Sequence, residues 1–129
     1  MAVRLQMKLG VVAESDRLPD SPDRIAVVEP SIGAIARSKG SLFLLVTGPG
    51  GGNRMREATL LVAEAIREQY YYDESAGIRV CLVKAISAAN KRLGHQRERY
   101  GVGLDEAGNG PVGVGVAVVR GNELYVSTV

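Results

Sequence analysis

Two amphipathic helical patterns follow one another in the middle of this 129-residue chain, with strand patterns before and after them. Apolar side chains recur at helical spacing over residues 55–66 and again over residues 78–93. A parallel sheet alternates its strands with crossover helices, so two successive helices argue against a parallel architecture. The pattern predicts an α+β fold in which antiparallel strands carry two adjacent helices on one face.

The strand patterns surround these helices in the order β-β-β-α-α-β-β. Period-two alternation or short β-branched runs mark five segments, at residues 3–13, 24–30, 42–46, 112–118 and 123–129. Arg120-Gly121-Asn122 is a tight-turn signature that makes the last two strands a hairpin. Asn53 is positioned to cap the first helix, and the polar residues 73–75 are expected to cap the second.

Composition narrows the class of protein. Apolar residues make up 46% of the chain and charged residues 23%, which predicts one globular domain over residues 1–129. A net charge of +2, without a concentrated basic face, argues against nucleic acid as a partner. No apolar run reaches the roughly 20 residues of a membrane helix. Cys81 is the only cysteine, so no internal disulfide can form, which favours a cytoplasmic location.

The last strand pattern continues to Val129 without a polar tail. A terminal strand usually needs a neighbour or a protected edge. We therefore expect the domain to be truncated at its C-terminus, with a missing C-terminal half or a protein partner that completes it. Oligomerisation through the terminal strand is a further expectation, and a simple edge strand is the alternative.

A glycine-rich turn over residues 47–52 joins the third strand pattern to the first helix. A phosphate-binding P-loop would place glycine, lysine and a hydroxyl residue where Asn53, Arg54 and Met55 stand. The dinucleotide-binding fingerprint begins with Gly48 and Gly50, but its third glycine is Asn53. A small nucleotide-binding protein is therefore the weakest of the functions considered.

Sequence segments along nearly the whole chain resemble the N-terminal half of the protein phosphatase 2C family of metal-dependent serine/threonine phosphatases. The segments are ESDR at 14–17, SPDRIAV at 21–27, VTGPGGG at 46–52, KAISAANKRL at 84–93 and the hairpin at 108–129. The resemblance implies half of an α-β-β-α sandwich. It also implies a site for divalent metals in which Asp23, Gly48, Gly50 and Gly51 match the family pattern.

The departures from that pattern fall on the metal ligands. Thr47 stands where the family has the aspartate that bridges two metals, and Pro22 stands where it has a glutamate. Arg17 does not lie at the spacing of the phosphate-binding arginine, and Gly110-Pro111-Val112 replaces a glycine-threonine-threonine motif. Hard cations such as Mg²⁺ and Mn²⁺ are held by carboxylate oxygens, so a threonine cannot bridge two of them.

These departures predict that the chain has the fold of the phosphatase 2C family but lacks the metal ligands that catalysis requires. The remnant metal positions are Asp23 and Gly48, and Asp23 is equally consistent with a backbone-capping role. No residue is assigned a catalytic role. No cofactor is expected, and Mn²⁺ or Mg²⁺ is the candidate if one binds. His95 is expected at the surface and Cys81 in the core. The predicted function is a pseudophosphatase or regulatory module that binds a protein partner. An active metal-dependent serine/threonine phosphatase is the alternative.

Overall fold

The protein is an α+β domain with a four-stranded antiparallel sheet in the order β1-β2-β3-β4. A computed structural model describes residues 10, 21–30, 34–48, 53–72, 77–96 and 112–129. Its elements are β1 (Arg24–Val28), α1 (Ala34–Lys39), β2 (Ser41–Thr47), α2 (Asn53–Tyr72), α3 (Ile78–His95), β3 (Gly113–Arg120) and β4 (Glu123–Thr128). The fold class predicted from the sequence is confirmed.

The inner face of the sheet packs against the helices and forms the core. Strand periodicity places alternate residues of β2 and β3 on this face, where they are almost completely buried. They are Leu42, Leu44, Val46, Val114, Val116 and Val118. The apolar stripes of the helices cover them, through Ala58, Val62, Ile66, Cys81, Ala85, Ala89 and Leu93 among others. The two long helices therefore lie on one face, as the period-3.6 patterns predicted.

Two local features differ from the sequence-based expectation. The segment between the second and third strand patterns contains a short helix, α1, which carries only six residues and ends in Lys39. The N-cap of α3 is Gly77 and not a residue of the polar cluster at 73–75. Gly77 makes no side-chain capping hydrogen bond. An exposed glycine tolerates the extended backbone of an N-cap, so α3 begins without a polar cap.

The hairpin ends the chain as the turn signature indicated. Gly121 and Asn122 form the turn, with Gly121 in the left-handed region at φ 59°. The backbone pairing continues to Val129, whose N–H and carbonyl both bond to Val114 at 2.9 and 3.2 Å. β4 is an edge strand in the part of the sheet that the structure describes.

Several expectations fall outside the described residues. They are the strand predicted at 3–13 apart from Gly10, the signature at 14–17, the glycines 50–52, and Gly110-Pro111.

Candidate functional site

The start of β1 and the end of β2 meet at one corner of the sheet. The antiparallel register pairs Arg24 with Val46, which brings Asp23 beside the residues that follow Val46. The backbone N–H of Gly48 donates to Asp23 Oδ1 at 3.4 Å. Asp23 and Gly48, the two remnant metal positions, are therefore neighbours although 25 residues separate them. We call this region the Asp23–Gly48 corner.

The carboxylate of Asp23 accepts a hydrogen bond from the backbone at this corner. Its Oδ1 accepts from Gly48, and its own N–H donates to Ser21 Oγ at 3.3 Å. These contacts hold the chain as it enters β1, which is the backbone-capping role that aspartate commonly plays in turns.

Pro22 anchors the corner to α2 instead of offering a ligand. The residue is buried, and its carbonyl accepts a short hydrogen bond from Thr59 Oγ1, which is also fully buried. The same hydroxyl lies 3.1 Å from the carbonyl of Arg56, one turn earlier in the helix. A buried hydroxyl needs such acceptors to offset the loss of its hydration. Sequence reasoning missed Thr59, since a threonine inside a helical stripe carries no signal of this contact.

Packing against α2 explains why glycine occupies position 48. A Cβ atom added to Gly48 would lie 2.5 Å from Met55 Sδ and 3.1 Å from Thr59 Cγ2. These obstacles are side-chain atoms, so a larger residue at position 48 would require Met55 to change its conformation. Close packing against α2 therefore favours glycine here.

Thr47 presents a neutral hydroxyl at the position where the family resemblance calls for a carboxylate. It is exposed and points away from the buried face that Leu44 and Val46 occupy. A Cβ on the facing residue, Gly113, would lie 2.6 Å from Thr47 Oγ1, so this side chain lies close against β3. A hydroxyl carries no charge to offset the dehydration of a divalent cation.

The donors that the described residues bring to the corner do not fit a pair of divalent cations. Among these residues Asp23 is the one carboxylate at the corner, and the described part of the chain contains no group of three or more His, Cys, Asp or Glu side chains that could hold a metal ion. Two bridged dications ordinarily draw on several carboxylates. The other polar side chains described at the corner, those of Ser21, Thr47 and Thr59, carry neutral hydroxyls.

A small depression of about 260 Å³ next to the corner is lined by Arg24, Arg56, Glu57 and Leu60. The Nε atom of Arg24 is buried and has no hydrogen-bond partner. Glu57 brings a negative charge to the same depression, so the two arginines do not form an unopposed anion site.

The second candidate site is the other face of the sheet, which we call the outer face. Cross-strand pairing aligns its side chains in rows, and none of those on the four strands is charged. Its apolar members are Ile25, Val27, Phe43, Leu45, Ala117, Val119, Leu124 and Val126. Leu124 and Val126 are 66% and 65% exposed, which is unusual for adjacent apolar residues of a sheet.

A cleft of about 380 Å³ runs across the middle of the outer face. It is lined by side chains from all four strands and by Gly10, including Ile25, Phe43, Leu45, Ala117 and Val126. Monomeric proteins seldom expose a contiguous apolar patch above a few hundred Å², and larger ones usually mark an interaction site. The outer face therefore has the character of a surface that another layer covers.

The histidine, the cysteine and the tyrosine cluster at 70–72 lie outside both candidate sites. His95 is exposed at the end of α3, and Cys81 is buried, as expected for both. Tyr70 and Tyr71 pack edge to face with ring centroids 4.9 Å apart, whereas Tyr72 is 82% exposed. Burial raises the pKa of Tyr71 to about 12, so its hydroxyl remains a donor at neutral pH.

Comparison with known proteins adds no identification: no protein-family model, no curated protein and no solved structure matches this chain. Of the helices that the structure describes, none combines the length and the apolar character needed to cross a bilayer.

Proposed function

We propose that this chain is a partner-binding domain that has the scaffold of a phosphatase 2C-like protein without its metal chemistry. The observation that carries the proposal is the outer face. Over its four strands it is apolar and free of charged side chains, and it has exposed apolar residues on β1, β2 and β4. A sheet that is apolar on both faces requires a covering layer on each side.

We further propose that the partner is another polypeptide that supplies an apolar β-sheet. Two sheets pack face to face at about 10 Å through interdigitating apolar side chains. The uncharged rows of the outer face suit such a partner and do not suit an acidic or basic ligand. The family resemblance supports the same choice, since it implies a sandwich in which a second sheet lies against the first.

The Asp23–Gly48 corner supports a non-catalytic role. Metal-assisted phosphate hydrolysis requires cations that both activate water and neutralise the phosphoryl oxygens. With Thr47 and Pro22 in place of acidic residues, Asp23 is the one acidic ligand that the described part of the corner offers. We propose a pseudophosphatase or regulatory module on this ground, and a cytoplasmic location on the basis of its single cysteine.

Site-specific photo-cross-linking tests the proposal. A benzophenone amino acid at Val126, 65% exposed on the outer face, is expected to cross-link in cells to one partner protein through a segment with alternating apolar residues. The matched control is Val83, which is 68% exposed on α3 and is expected to give no such product. Mass spectrometry of the cross-linked peptides identifies the partner segment. Cross-links from Val126 to this chain alone, or the same products from Val83, would contradict the proposal.

An active serine/threonine phosphatase is the second candidate, and one contact favours it. Asp23 and Gly48 lie together, as they would around a metal ion in the family that the sequence resembles. This function requires Mn²⁺-dependent hydrolysis of p-nitrophenyl phosphate that Asp23→Ala abolishes.

A further inference from the structure

A lysine and the single cysteine of the chain meet inside the protein, at the end of β2 opposite to the Asp23–Gly48 corner. Lys39, the last residue of α1, is completely buried, and Cys81 on α3 is 1% exposed. The Nζ atom of Lys39 donates to Cys81 Sγ at 2.5 Å, across 42 positions of sequence.

Contacts from two other elements, α2 and β3, hold the backbone around Lys39 in place. The hydroxyl of Tyr70 on α2 donates to the Lys39 carbonyl at 2.6 Å, and Tyr71 donates to the Gly40 carbonyl at 3.2 Å. From β3, Arg120 donates to the Ser38 carbonyl at 3.2 Å. The Lys39 amine also lies 5.3 Å from the centroid of the Tyr70 ring. The nitrogen and the sulfur are therefore positioned before any reaction, which is the main requirement for efficient coupling.

Stability alone gives little reason for such a pair. A buried amine must be compensated by its neighbours, and replacing buried polar pairs by apolar side chains of similar size is often neutral or stabilising. Cys81 and Tyr70 provide that compensation here. What a nitrogen nucleophile adds beside a thiol is the capacity to trap an oxidised sulfur.

We propose that Lys39 and Cys81 form a covalent nitrogen–sulfur cross-link when the protein is oxidised by hydrogen peroxide. Peroxide first oxidises the thiol to a sulfenic acid and is itself reduced to water. The Lys39 ammonium gives up one proton to solvent, and the lone pair of its nitrogen then attacks the sulfur while the sulfur–oxygen bond breaks. The departing hydroxide takes one proton from the amine and leaves as a second water. The product is a sulfenamide, a condensation known for sulfenic acids with nitrogen.

The cross-link ties the short helix α1 to the long helix α3. Two molecules of an external thiol reverse it, restoring the amine and the Cys81 thiol and leaving one external disulfide. Because Cys81 is buried, peroxide reaches it when α1 moves away from α3, so the reaction is slower than that of an exposed thiol. The proposal is independent of the partner-binding function and stands or fails separately from it.

The test treats the purified full chain with hydrogen peroxide, blocks free thiols and digests it for mass spectrometry. We expect one cross-linked peptide pair that contains Lys39 and Cys81, lighter than the two free peptides together by two hydrogen atoms. Dithiothreitol is expected to remove this species. Cross-linked protein is also expected to melt at a higher temperature than reduced protein, because the unfolded chain is constrained.

Lys39→Met is the matched variant, because it keeps the length of the side chain and removes the nucleophile. Its Cys81 is expected to proceed to sulfinic or sulfonic acid instead of a cross-link. In the wild-type chain, which needs no variant to fold, three results would overturn the proposal. They are an unmodified Cys81, a Cys81 overoxidised without a cross-link, and cross-linking to the exposed Lys91 as often as to Lys39.

Discussion

Gly40→Ala is expected to destabilise the folded chain by about 3–5 kcal/mol, because two separate costs fall on one position. Gly40 has a φ of 67°, in the left-handed region that residues with a Cβ atom rarely adopt. A Cβ atom there would also lie closer to the carbonyl oxygen of Val119 than any real contact allows, and 2.9 Å from Arg120 Cβ. Neither obstacle is the flexible end of a side chain, so the backbone of β3 would have to move.

Gly121→Ala is the matched control for this experiment. Gly121 has a similar φ of 59°, but an added Cβ atom would meet nothing within 4 Å. Gly121→Ala is expected to lower the free energy of unfolding by about 1 kcal/mol, which is the cost of the left-handed backbone conformation alone. Urea unfolding measures both values, provided that the slope m is unchanged between variants. Equal losses at the two glycines would show that α1 does not approach β3 as closely as described.

Leu42→Ala is expected to cost about 2–5 kcal/mol, whereas Leu124→Ala is expected to change stability by less than about 0.5 kcal/mol. The two leucines lie on opposite faces of the sheet. Leu42 is 1% exposed and packs in the core, so its truncation leaves a cavity. Leu124 is 66% exposed on the outer face, where solvent fills the space.

This comparison also bears on the proposed function. If the isolated chain already covered its outer face, truncating Leu124 would remove buried area and cost a free energy close to that at Leu42. Unfolding in urea at a single low protein concentration, followed by circular dichroism, measures the two losses together. A large loss at Leu124 would contradict a face that is open for a partner.

Periodicity alone was sufficient to predict most of the fold. The apolar stripes at 55–66 and 78–93 became α2 and α3, and the turn at Gly121 and Asn122 closed the expected hairpin. α1 was not predicted, because six residues of mixed polarity carry too short a pattern to separate a helix from a loop. The fully apolar run from Phe43 to Val46 did indicate an apolar outer face, because apolar and polar residues should alternate in a strand that is covered on one side alone.

The candidate sites were predictable only in part. Matching of motifs placed Asp23 and Gly48 at one site, and the register of β1 with β2 makes them neighbours. The hydrogen bond from Thr59 to Pro22 depends on how α2 lies over the sheet, which no local pattern encodes. The burial of Lys39 was even less predictable from the sequence. A lysine at a helix end is ordinarily solvated, and the burial of Lys39 against Cys81 depends on a tertiary contact between the end of α1 and α3 that no local pattern encodes.

We propose that Thr47, a neutral hydroxyl where the resemblance calls for a bridging carboxylate, leaves this chain unable to bind a pair of divalent cations. Calorimetric titration of Mn²⁺ into the wild-type chain and into Thr47→Asp tests it most directly. The account predicts no saturable heat for the wild type and a measurable binding isotherm for Thr47→Asp, since a second carboxylate beside Asp23 supplies charge that the hydroxyl lacks. A wild-type isotherm with two Mn²⁺ ions per chain, lost in Asp23→Ala, would contradict it.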